Sequence, residues 1–171
     1  MTEIREHAVN DGSEDTAALL ARISGQFVAG RSSLPFRTGA AVDTSMKSVS
    51  TLAVVMLEEP EETRDRVFAY LQRLEWSTQR VRIGIVTDTR AIKAIRPHGW
   101  LVEHVMPKEL HQRLAEQEPW SEYAEKRIGQ ALLQLDPAHL LIPGPRGIER
   151  RDHLRLCREL GVEVPFDLLS H

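Results

Sequence analysis

Two short segments carry the residue types that a binding site needs. Thr87-Asp88-Thr89-Arg90 directly follows an apolar run at residues 81–86. Asp88 can accept a hydrogen bond from a sugar or ribose hydroxyl or act as a base, which makes it the candidate catalytic residue. The hydroxyls of Thr87 and Thr89 can bond a phosphate, and Arg90 can pair with an anion. The same residues also suit a helix cap that holds no ligand. The second segment is Ile142-Pro143-Gly144-Pro145-Arg146-Gly147. A glycine-bearing turn between a strand and a helix can offer backbone N–H groups to an anion, with Arg146, Arg150 and Arg151 adding charge. Two prolines remove donors from it, and neither a GxGxxG nor a GxxxxGK[ST] pattern is present. A tight turn beside a solvated basic helix face is the alternative.

Other chemistry is thinly represented. Glu58-Glu59-Pro60-Glu61-Glu62 is acidic enough to attract a divalent cation, yet acids at a helix start are favoured by the helix dipole alone. Seven histidines (His7, His98, His104, His111, His139, His153 and His171) show no HExxH or similar pairing, so no metal site is assigned. The lone Cys157 excludes an internal disulfide and is expected on an apolar helical stripe with Leu154 and Leu160. No GxSxG elbow exists for a serine nucleophile. No cofactor is implied.

The elements that must position these residues follow from periodicity. Ser13 can cap a helix over 13–30 whose apolar face is Leu19, Leu20, Ile23 and Phe27. Residues 1–12 read as disordered, and 31–48, rich in Gly, Ser, Thr and Pro, as a flexible connector. From residue 49 the pattern changes. Leu52-Ala53-Val54-Val55-Met56-Leu57 is a continuous apolar run, as a strand buried on both faces requires. Pro60 opens a helix with an inward stripe of Val67, Phe68, Leu71 and Leu74. Residues 81–86, 100–106, 138–142 and 162–164 read as further strands. Helices are expected around 89–96, over 108–117, from Trp120 to about Leu135, and over 148–160 up to Gly161. This alternation predicts an α/β, Rossmann-like domain over 49–171: a mostly parallel sheet of about five strands with helices on both faces, preceded by the N-terminal helix. In such sheets ligands gather at the carboxyl ends of the strands, which places residues 87–90 and 144–147 at one edge, along with Glu58, Glu59, His104 and Met106.

Composition narrows the classes. The chain has 171 residues, 42% of them hydrophobic, enough for one core and too few for two ordinary domains. A net charge of -3 and 5% aromatics give no global reason to expect nucleic acid as a partner. Of 22 basic residues four are lysines, leaving eighteen arginines. That bias fits a GC-rich bacterial coding sequence, with selection for anion recognition as the alternative. No secretory signal or membrane-spanning run is visible, so a cytoplasmic location is expected.

Residues 80–107, RVRIGIVTDTRAIKAIRPHGWLVEHVMP, and the later EYAEKRIGQALLQLDPAHLLIPG resemble the N-terminal Rossmann-like half of two-domain glycosyltransferases. The resemblance spans about half the chain. It implies recognition of a nucleotide, sugar or nucleotide-sugar and, if catalytic, glycosyl transfer. The family's glycine-rich first loop is replaced by Glu58-Glu59-Pro60, and its donor-binding half has no counterpart in these residues. LLIPGPRGIERRDHLRLCRELGVEV is similar in outline to the nucleoside deoxyribosyltransferase fold, with Glu149 or Asp152 as the corresponding carboxylate. A ligand site of Thr87, Asp88, Thr89, Arg90, Gly144, Arg146 and Gly147 is therefore expected. The alternatives are a non-catalytic interaction or oligomerisation module, docking through the N-terminal helix or anchored by Trp76, Trp100 or Trp120, and nucleic-acid binding through the arginine-rich helix, which the acidic chain disfavours.

Overall fold

The computed structural model describes residues 12–29, 49–114 and 118–163. Helix α1 (Gly12–Gln26) precedes strand β1 (Ser50–Met56) and helix α2 (Glu61–Thr78). Strand β2 (Val81–Thr87), the short helix α3 (Ile92–Ile95) and a 3-10 turn (Arg96–His98) lead to β3 (Leu101–His104). Helices α4 (Lys108–Leu114) and α5 (Trp120–Leu135), strand β4 (His139–Leu141) and helix α6 (Arg150–Leu160) complete the described elements. All strand pairs are parallel, in the order β3-β2-β1-β4. The chain steps outward from β1 to β3 and then crosses back to the far side of β1, so strand order reverses between β1 and β4. The architecture is the expected α/β sheet between helical layers.

Alternation along β1 explains the two cores. Leu52, Val54 and Met56 face one side, where they meet Val67, Phe68, Leu71 and Leu74 of α2 and Leu156 of α6. Ala53 and Val55 face the other, against Ala124, Ile128, Ala131 and Leu135 of α5 and Leu19 and Ile23 of α1. Each of the larger side chains among these stabilises the fold by about 1.5–3 kcal/mol relative to exposure. Gly84 of β2 admits α5: a Cβ there would stand 2.8 Å from a methyl of Leu135.

Several expectations are corrected. Four strands, not five, are present among the described residues. Val162 instead donates its N–H to the Cys157 carbonyl at 2.9 Å, closing the end of α6 after the left-handed Gly161, and residue 164 lies outside the described part. The N-terminal helix stops at Gln26, so Phe27 follows it rather than belonging to it, and Ser13 falls inside the helix rather than before it. The stripe assigned to α6 is rotated: Leu154 is 57% exposed, while His153 and Leu156 turn inward and Cys157 is half-buried. A histidine taking a core position is what a purely apolar count overlooks. The connector at 31–48 and the N-terminal eleven residues lie outside the described residues. No helix among the described residues is long and apolar enough to cross a membrane.

Candidate functional site

The parallel register of β1 and β2 builds the site. Met56 pairs with Thr87, so the two strands end together and the residues just beyond them, Glu58 and Asp88, emerge side by side. The Glu58 N–H donates to both Asp88 carboxylate oxygens, each at 3.1 Å. Glu58 accomplishes this with φ of +55°, a left-handed conformation that costs a non-glycine residue about 1–2 kcal/mol. Its own carboxylate accepts from the hydroxyl of buried Thr16, so α1 reaches the same edge from the opposite layer. Thr87 also pairs with His104 at the end of β3, which brings an imidazole beside Asp88. The β3 end is itself anchored by α5. Arg127 donates to Glu103 at 2.7 Å and to the His104 carbonyl at 3.3 Å. The Tyr123 hydroxyl accepts from the Met106 N–H, and the Trp120 indole donates to the Met106 carbonyl at 2.9 Å.

Electrostatics follow from this crowding. Partial burial, with the Asp88 charge second, pushes the Glu59 carboxyl up to about 7. Asp88 is also raised, chiefly by burial and further by Glu58, while backbone N–H donors and nearby His104 oppose the rise. A half-protonated carboxyl beside a fixed carboxylate can both donate to and accept from a ligand near neutral pH.

The predicted residues fall into two groups. Thr87, Asp88, Thr89 and Arg90 form one turn. The Thr87 hydroxyl accepts from the Thr89 N–H, and the Thr89 hydroxyl accepts from the Ala91 N–H, both at 3.2 Å. Their acceptor roles are thus largely used in shaping the turn, while each O–H remains a donor. Arg90 is exposed, with no ion pair among the described residues. Gly144, Arg146 and Gly147 form the other group. Gly144 and Gly147 exchange N–H···O bonds of 2.9 and 2.8 Å across a tight turn, so both amides already have acceptors. Glu149 lies over that turn, its carboxylate 3.1 Å from where a Gly144 Cβ would stand. Thr63 of α2 donates to the Pro145 carbonyl at 3.0 Å and seats the turn on the start of α2. The two groups lie beyond β2 and β4, strands that flank β1, and so stand roughly 10 Å apart. No hydrogen bond or ion pair joins them among the described residues; Glu58 and Glu59 occupy the strand end between.

Arg64 and Thr16 were not singled out from sequence. Arg64 is buried, its side chain 10% exposed, and donates to the Thr89 hydroxyl at 3.4 Å while pairing with Glu61 at 3.1 Å. Its Nε has no hydrogen-bond partner. Arg64 lies on the inward stripe with Phe68 and Leu71, and that spacing was the available signal. The described residues contain no grouping of three or more His, Cys, Asp or Glu able to hold a metal ion.

No family model matches the chain, and neither a curated protein nor a solved structure resembles it closely enough to count as a match.

Proposed function

We propose that this Rossmann-like domain recognises a hydroxyl-rich ligand, a sugar or the sugar of a nucleoside or nucleotide, at the carboxyl edge of β1 and β2. The observation that carries the reading is the Asp88 carboxylate held by the Glu58 amide beside Glu59 and His104. Carboxylates accept from hydroxyls and repel phosphates, and the Gly144 and Gly147 N–H groups already donate to each other's carbonyls. An uncharged sugar face therefore suits the centre of the site, and any phosphate belongs at the rim near Arg90 or Arg146. If a reaction occurs there, glycosyl transfer fits the residues: Glu59 supplies a proton near neutral pH, and Asp88 orients or deprotonates a hydroxyl. A thermal-shift panel of free sugars, nucleosides, nucleotides and nucleotide-sugars tests this. Stabilisation by a sugar-bearing ligand, lost in Asp88→Asn, is expected. Equal stabilisation by inorganic phosphate, or none by any sugar at millimolar concentration, would overturn it.

A second reading, a self-associating module, is favoured by a different observation. The inner face of α1 is buried on its own domain, but Val28 and Leu133 are 85% and 82% exposed. They border an apolar groove of about 300 Å³ with Phe27 and Leu132, where a second copy would dock. Light scattering on Leu133→Glu tests it: a dimer reduced to monomer supports the reading, and an unaltered monomeric parent ends it.

A further inference from the structure

Helix α6 opens on two adjacent arginines. Arg150 and Arg151 share its first turn with Asp152, at the end where the dipole favours acids over bases, whereas α2 opens with Glu61 and Glu62. The acids on α6 do not neutralise these arginines. Asp152 pairs with Arg155 at 3.6 Å, and Glu159 with His139 at 2.9 Å and Arg155 at 3.9 Å. Arg146, Arg150, Arg151 and Arg158 are left exposed with no ion pair among the described residues. They gather although the chain carries a net charge of -3.

The same face is partly apolar. Arg150, Arg151, Leu154, Arg155 and Arg158 line a shallow depression of about 520 Å³. Leu154, 57% exposed, sits at its middle. The spacing 150, 154, 158 and 151, 155 is that of one helical face, and it runs roughly 12 Å along the axis. A second depression of about 400 Å³ shares Arg151 and Arg155 and continues past Ile142 and Leu140 to Phe27. The arginine stems and Leu154 thus make an apolar floor between cationic rims.

We propose that the outer face of α6 docks an acidic amphipathic helix of a partner protein. Its glutamates or aspartates would pair with Arg150, Arg151 and Arg158, and a leucine-like side chain would cover Leu154. A nucleic-acid strand would satisfy the arginines but leave Leu154 and the apolar floor without a counterpart. Carboxylates two helical turns apart match the two-turn spacing from Arg150 and Arg151 to Arg158. The unfavourable placement of Arg150 and Arg151 is what an anionic partner would offset.

The test uses the full chain and a fluorescein-labelled helical peptide of about 15 residues, long enough for helix formation, with glutamates on one face and leucines beside them. Anisotropy should report binding that weakens about tenfold or more in the double variant Arg151→Glu, Arg158→Glu. Leu154→Gln should weaken it separately. A peptide with lysines in place of the glutamates should bind the double variant, a gain that a misfolded chain would not give. Three outcomes would overturn the proposal: a scrambled peptide of the same composition binding equally well, a single-stranded oligonucleotide binding more tightly than the peptide, or no peptide binding.

Discussion

The Glu58 amide and the Asp88 carboxylate meet at 3.1 Å on both oxygens across the ends of two adjacent parallel strands. This contact requires the left-handed backbone at Glu58. Glycine adopts that conformation without the cost an L side chain incurs. Glu58→Gly should therefore remain within about 0.5 kcal/mol of the parent, the relieved backbone offsetting the lost Thr16 bond. Glu58→Ala keeps the strain and loses that bond, and should be less stable by about 1 kcal/mol. Urea denaturation of the two variants checks the order. Alanine equal to or better than glycine would mean that the loop does not hold this conformation.

Glu59 makes the site sensitive to pH. Its carboxyl is raised from 4.5 to about 7, so between those values the folded chain binds more protons than the unfolded one. Stability from this group is complete below about pH 4.5 and is lost as pH rises through about 7. Glu59→Gln removes the ionisation. Thermal melts should show the parent losing stability across that window and the variant losing less. Parallel curves would show that Glu59 titrates normally.

Gly84 sets how closely α5 lies on the sheet. A Cβ at this position would meet the two methyls of Leu135 at 2.8 and 2.9 Å, inside a closed core. The methyls are the end of a flexible side chain, so some yielding is available. Gly84→Ala should cost about 1–2 kcal/mol by overpacking, and Gly84→Ala with Leu135→Val should recover part of it. A denaturation curve matching the parent would mean that α5 shifts freely.

The elements were legible because their signals are local. The unbroken apolar run at 52–57 announces a doubly buried strand, and the stripe Val67, Phe68, Leu71, Leu74 announces the helix that covers it. The site was legible in part. The carboxyl-edge rule pointed to Asp88, Glu58, Glu59 and His104 together, but their mutual contacts depend on which strands are neighbours. The pairing of Met56 with Thr87 is long-range and leaves no mark in either segment alone. Gly144 and Gly147 show the same limit. Composition reveals two glycine amides able to face an anion; only the folded turn shows each bonded to the other's carbonyl. His153 is a third case, since a polar residue can hold a core position once a partner lies across the interface.

That partner is Tyr70. Its hydroxyl lies 3.3 Å from His153 Nδ1, both residues are buried, and the rings meet edge-on at 5.8 Å between α2 and α6. Burial chiefly, then the nearby Cys157 and Asp152, pushes the phenol well above its usual range, so it stays neutral at any ordinary pH. Tyr70→Phe keeps the ring packing and deletes only the hydroxyl. It should cost about 1 kcal/mol, the net worth of one neutral buried hydrogen bond. His153→Leu in the Tyr70→Phe background should cost less than the sum of the two single changes, because the first substitution has already broken the pair. Urea titrations of the two singles and the double close that cycle. Strict additivity would show that the α2–α6 contact rests on packing alone and that the polar pair contributes nothing to it.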